Sequence, residues 1–166
     1  ADDRIHAHLL TEHQRAKDAS RTALEFTAWR EEQITLSAVQ WVLACVFIRF
    51  CEDTGLIAEA RLAGEGDRLS FANDTTTHYF QENPTHSERE YLLWAFEKTR
   101  ELPGIEDLFD PDHNPLYKLP LSVDGAKKLL QFWRKPDPET GDLAITFTDP
   151  DRDTRFLGDL YQDLSE

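Results

Sequence analysis

The side chains of this sequence that could carry chemistry fall into a few short clusters, each of which points to a definite reaction or ligand. Arg49 stands three residues before Glu52 and four before Asp53, a spacing that puts one guanidinium and two carboxylates on the same helical face. Such a trio is either a charged site or a local ion pair that lets an apolar helix reach its end; the second is the commoner arrangement and is the expectation here. His6, His8 and His13 lie close together in sequence. Helical metal ligands need intervals of three or four, which these three do not have, so they read as a solvated face. Asp149, Asp151 and Asp153 alternate as at the start of an EF-hand calcium loop, but Thr154 replaces the turn glycine and Leu160 the bidentate glutamate, while Pro150 stiffens the entry. Asp153 is expected to be a helix N-cap instead. No metal ligands are assigned.

Two further motifs fail for want of context. Gly64-Glu65-Gly66 could cradle a phosphate only after a buried strand, and the preceding AEARLA consists of helix formers, so a surface turn is expected. Asn114-Pro115-Leu116-Tyr117 differs by one residue from the Asn-Pro-Pro-Tyr motif that holds an extruded base in amino-methyltransferases. It follows no strand and no cofactor loop, and a proline-pinned turn is expected. Cys45 and Cys51 are six residues apart; on one helix that is about 9 Å along the axis, too far for a disulfide. Both read as buried thiols of a reducing compartment. No Ser/His/Asp or Cys/His arrangement can be drawn, so neither catalytic nor cofactor-binding residues are assigned.

The elements that must position these groups are mainly helical. Residues 37–55, SAVQWVLACVFIRFCEDTG, form the most apolar stretch; from position 38 to 51 only Gln40 and Arg49 are polar. A helix over about 37–54 would be buried on all sides and would end at Gly55, which takes a left-handed conformation without strain. Its continuous apolar run of eight residues is well below the roughly 18 needed to cross a bilayer, so a core helix is expected and no membrane partner. Trp41 opens that run and joins Arg49, Glu52 and Asp53 as a structural or interaction candidate. Around this helix the periodicity predicts helices over 1–17 and 20–32, the second running into the central helix either straight or with a bend at 33–35. A helix over 70–81 is anchored by Phe71, Tyr79 and Phe80, and another begins at a Thr85/Glu88 or Ser87/Glu90 capping box, with Leu92, Ala95 and Phe96 facing the core.

Prolines at 103, 111, 115 and 120 make residues 103–121 an ordered loop pinned by Ile105, Leu108, Phe109, Leu116 and Tyr117. Ser122 caps an amphipathic helix bearing Val123, Ala126, Leu129, Leu130 and Trp133. Alternation over 143–148 predicts one short strand or hairpin, and apolar spacing over 154–166 a last helix. The fold class expected is therefore a mainly α multi-helix bundle around the central helix, in a single domain over 1–166.

The 166 residues include 32 acids against 18 Lys and Arg, a formal net charge of −14, which repels phosphate backbones and excludes a nonspecific nucleic-acid binder. With no basic apolar leader, the cytoplasm is the expected location. The absence of any methionine suggests a piece of a longer protein.

Residues 29–57, WREEQITLSAVQWVLACVFIRFCEDTGLI, resemble the N-terminal region of the PglX adenine-specific DNA methyltransferases of BREX (phage growth limitation) defence systems. YFQENPTHSEREYLLWAF from Tyr79, LFDPDHNPLYKLP from Leu108 and DTRFLGDLYQDLSE from Asp153 resemble that family in the same order. The resemblance implies a helical accessory domain whose last segment leads into a catalytic domain beyond Glu166. There S-adenosylmethionine would be bound and adenine N6 methylated; no residue of this chain matches those motifs, so the chain itself is expected to be inactive. Expected partners are that catalytic domain, other defence proteins, and DNA in the context of the parent protein. The alternative expectation is a free-standing acidic helical regulator, for example a DNA mimic.

Overall fold

A computed structural model describes residues 2–148, in which five α-helices and one 3-10 turn follow one another without a sheet among the described residues. The helices are α1 (Asp2–Asp18), α2 (Phe26–Asp53), α3 (Asp67–Glu82), α4 (Glu88–Arg100) and α5 (Val123–Trp133), with the 3-10 turn at Pro115–Tyr117. This is the mainly α bundle expected. The aspartates at 149, 151 and 153 and the helix over 154–166 lie outside the described residues.

The central helix, α2, is 28 residues long, about 42 Å at the standard rise. It runs unbroken through positions 33–35, while residues 20–25 lie outside it as a connection from α1. Its surroundings change along its length. Between Ala44 and Glu52 every residue is buried or half-buried, whereas Ile34, Leu36 and Val42 stay 45%, 39% and 42% exposed, so the N-terminal half is covered on one side only. By length and composition α2 could cross a membrane, and 44% of its most apolar stretch is buried inside the protein. It ends as the sequence requires. Gly55 takes φ +78°, Thr54 N–H donates to the Phe50 carbonyl at 3.0 Å, and Ile57 N–H folds back to the Cys51 carbonyl at 3.0 Å.

The remaining helices close over α2. Phe96 of α4 lies against Trp41 at 5.3 Å and Phe109 at 5.6 Å between ring centroids, and burial of each such ring contributes about 1.5–3 kcal/mol. Trp41 also donates its indole N–H to the Leu116 carbonyl at 3.1 Å, and Ser37 donates to the Leu119 carbonyl at 3.2 Å. These two bonds tie the proline-rich loop to α2. Within that loop Phe109 and Leu116 are buried, but Leu108, expected to be a pin, is 51% exposed. The start of α4 is the Ser87/Glu90 capping box; α5 starts with Ser122 Oγ accepting from Gly125 N–H at 3.0 Å. Ala126, Leu130 and Trp133 are the buried stripe of α5, and Val123 faces outward. On α3 Tyr79 is buried and Phe80 half-buried, while Phe71 is exposed.

Other expectations are overturned. His13 is buried: its Nε2 donates to the Leu24 carbonyl at 2.9 Å, and its ring packs 5.5 Å from Phe26 and 5.2 Å from Trp29. AEARLA is not helical, and Ala60, Leu62 and Ala63 are buried. The Gly-x-Gly after it is no surface turn at its first position, because Gly64 is also buried. Finally, residues 143–148 form no strand. Leu143 and Phe147 face inward as the alternation demanded, but among the described residues the only ladder contact is an isolated antiparallel bridge between Pro136 and Leu143. The backbone beyond it is satisfied by side chains of α2 instead.

Candidate functional site

Those side chains are Arg49 and Asp53. At the last turns of α2, Arg49 Nη1 and Nη2 donate to Asp53 Oδ1 and Oδ2 at 2.9 and 2.8 Å, a two-pronged pairing of the strong, directional kind. Asp53 Oδ2 also accepts the Phe147 N–H at 2.8 Å, and Arg49 Nη2 reaches the Ile145 carbonyl at 3.3 Å. Glu52, one position earlier, turns to the other side. Its Oε1 accepts the Arg61 and Leu62 N–H groups at 2.6 and 2.7 Å, and its Oε2 accepts the Ala63 N–H and Arg49 Nη1, each at 3.1 Å. The side chains of all three residues are fully shielded from solvent.

The explanation for the non-helical AEARLA follows from these distances. A helix over 58–63 would consume its own amides, whereas the buried Glu52 carboxylate has about four acceptor positions to fill. Bent around the carboxylate instead, the segment fills three of them and buries Leu62 and Ala63 at the same time. The carbonyl side of the segment is held separately. Arg134, just past α5, donates from Nε to the Leu62 carbonyl at 2.7 Å and from Nη2 to the Arg61 carbonyl at 3.1 Å and Thr76 Oγ1 at 2.7 Å. Tyr91 of α4 donates its hydroxyl to the same Arg61 carbonyl at 2.6 Å. Two arginines and two carboxylates thus make a charge-balanced hub joining α2, α3, α4, α5 and the segment at 145–147.

Sequence reasoning found Arg49, Glu52 and Asp53 and missed Arg134 and Tyr91. A signal for Arg134 existed: it stands four residues after Leu130 and eight after Ala126, on the buried stripe of α5, where a cation needs partners. Nothing comparable marked Tyr91. Trp41 is brought not to this hub but to the core beside Leu116, about two turns away along α2.

The chemistry open to these groups is limited by their enclosure. All four acceptor positions of Glu52 are occupied by protein donors, and no path leads from its carboxylate to solvent, so it has no lone pair free to take a proton from a substrate. The neighbouring thiols are muted too. Burial, and then the Glu52 charge, pushes Cys51 up to about 11, and burial pushes Cys45 further in the same direction. Neither is a thiolate at neutral pH, the form a nucleophile or metal ligand requires. Among the described residues no three His, Cys, Asp or Glu side chains gather where they could hold a metal ion. Asn114 is used up locally: its oxygen accepts the Leu116 N–H at 2.9 Å and its amide donates to the Leu108 carbonyl at 2.8 Å. That is the cap of the 3-10 turn. The hub organises structure.

No family model matches the chain, and no solved structure matches it. Among curated proteins, the adenine-specific methyltransferase PglX of Streptomyces coelicolor is 43% identical over 172 aligned positions, which take in 99% of this chain. The chain spans only 14% of that protein's length. With the resemblance now extending from end to end, the chain is a relative of one small part of a PglX-type adenine-specific methyltransferase.

Proposed function

We propose that the chain is the N-terminal accessory domain of a site-specific adenine-N6 DNA methyltransferase in a BREX-type anti-phage system, and that it positions the catalytic domain and docks partner proteins. The observation that carries this reading is the 43% identity along 99% of the chain to one-seventh of a PglX-type enzyme. On this reading S-adenosylmethionine and the target adenine are bound by residues outside the chain, and the parent protein works in the cytoplasm. The enclosed hub supports a positioning role, because a rigid body with no accessible acid, base or nucleophile in its polar centre has little to offer the chemistry itself. The net charge of −14 favours contacts with protein over contacts with phosphate backbones.

The same charge supports a second reading, a free-standing acidic interaction protein or DNA mimic. The two separate in one experiment. The parent protein, the chain alone and the parent lacking these residues are each given DNA and labelled S-adenosylmethionine. The accessory reading expects methyl transfer to adenine N6 by the parent, none by the chain, and impaired transfer by the truncated parent. Transfer by the chain alone, or a truncated parent as active as the whole, would sink it; a gene with its own start and stop around these residues would favour the rival.

A further inference from the structure

Away from the hub, at the other end of α2, the described residues leave a groove between them. A groove of about 440 Å³ runs between α1, the N-terminal half of α2 and residues 119–122, with Ile5, Leu9, Ile34, Ala38, Trp41 and Leu121 in its lining. Its apolar surface continues along α2, because Ile34, Ala38 and Val42 follow one another at four-residue intervals, one row on the helix. Ile34 and Val42 are 45% and 42% exposed, and Val123, beside the far rim, is 46% exposed. Single exposed apolar residues are ordinary; a row of them beside a concave apolar surface marks a contact site.

One polar group in the groove is incomplete. Arg30 lines it, and its Nη2 is taken by Glu31 at 2.8 Å, but its buried Nε–H has no acceptor among the described residues. Buried donors are almost always paired, so whatever fills the groove should bring an acceptor, and beside a guanidinium a carboxylate gives the stronger bond.

Size indicates where that occupant comes from. A separate protein needs about 800 Å² of its own surface buried to bind stably, more than a groove of this volume offers. A segment tethered to the same polypeptide meets the groove at an effective concentration in the millimolar range, so a small site suffices. We infer that the groove seats an apolar segment from the part of the parent protein outside this chain, with a carboxylate of that segment against Arg30. The inference rests on the accessory-domain reading, and it names the surface through which the domain would do its positioning.

The test uses the full-length parent with the photo-crosslinking residue benzoylphenylalanine at position 34. Crosslinks are expected to a peptide outside this chain that is apolar and carries an Asp or Glu. Ala38→Glu should lower the yield at least tenfold and Arg30→Gln several-fold. Ala38 lies at the surface, so circular dichroism and the melting temperature of the isolated chain should be unchanged by Ala38→Glu. No crosslink, crosslinks between two copies of these residues, or a yield indifferent to Ala38→Glu each overturn the assignment. Methyl transfer by the same parent preparation is scored alongside. A parent that methylates but gives no crosslink removes the groove proposal alone; one that crosslinks as expected but transfers no methyl group supports the groove and removes the enzymatic reading.

Discussion

Replacing Glu52 by glutamine changes one atom in a buried side chain that accepts four hydrogen bonds, and the distances allow its effect to be worked out. The amide oxygen can stay on the Arg61 and Leu62 N–H groups, the two closest contacts at 2.6 and 2.7 Å. The amide nitrogen then faces the Ala63 N–H and Arg49 Nη1, both donors, so two buried donors lose their acceptor. An unsatisfied buried amide costs about 1–3 kcal/mol, and breaking a buried ion pair by changing one partner costs about 3–5 kcal/mol. The two estimates share one group and do not add, so about 3–5 kcal/mol is the expected loss.

Against a total stability of about 5–15 kcal/mol, Glu52→Gln should fold but be severely weakened. Glu52→Ala, which leaves all three amides without an acceptor, should cost about 3–9 kcal/mol and populate the unfolded chain heavily. Glu59→Gln supplies the control, since it removes an equal charge from an exposed position on the same segment. The assay is urea unfolding at neutral pH, followed by circular dichroism and extrapolated linearly to water. A Glu52→Gln variant within about 1 kcal/mol of wild type, with an unchanged denaturant slope, would refute the assignment of these amides to Glu52.

Other perturbations test other parts of the fold. Gly64 has φ +80°, and a Cβ there would lie 2.5 Å from Cβ of Arg68, whereas Gly141, at φ +78°, has nothing within 4 Å. Gly141→Ala should therefore lose only the about 1–2 kcal/mol of left-handed strain, and Gly64→Ala distinctly more, read as a larger drop in melting temperature. The Ser87 hydroxyl, which donates to Glu90 Oε2, is the main cause that lowers Glu90 to about 2 from an ordinary 4.5. A depressed carboxylate stabilises above its unfolded value, so this contribution is complete above about pH 4.5 and is lost as pH falls toward 2. Ser87→Ala should lower stability at neutral pH and flatten its fall on the acid side, measured by unfolding at several pH values. Cys45 and Cys51 should resist a disulfide reagent at pH 8 in the native protein and react promptly in urea; fast native reaction would contradict their burial.

Much of the bundle could be read from local pattern. The apolar density of α2, its stop at Gly55 and the Ser87 box each depend on residues within one or two turns, and each appears as expected. Failures occurred where a distant group decided the outcome. AEARLA has helical propensity, but Glu52 takes its amides from nine to eleven positions away. Residues 143–148 alternate like a strand, yet Asp53 and Arg49 bind their backbone across more than ninety positions. Val123 and Phe71 continue apolar periodicities that extend past the edge of the core, and such end positions are exposed by geometry that no window of sequence contains. The candidate site was half legible for the same reason. The helical trio could be found by spacing, but whether it was open to solvent depended on Arg134 and on a loop folded over it.

The grip of Glu52 on three consecutive amides also has a consequence for time. Irregular segments between helices usually exchange their amide hydrogens quickly, because small local openings expose them. At Arg61, Leu62 and Ala63 an opening must pull main chain away from a buried carboxylate and, on the other face, from Arg134. Their hydrogens should therefore exchange on the slow schedule of the α2 and α4 cores, released only when the whole molecule unfolds. A loop would then serve as a clock for global stability.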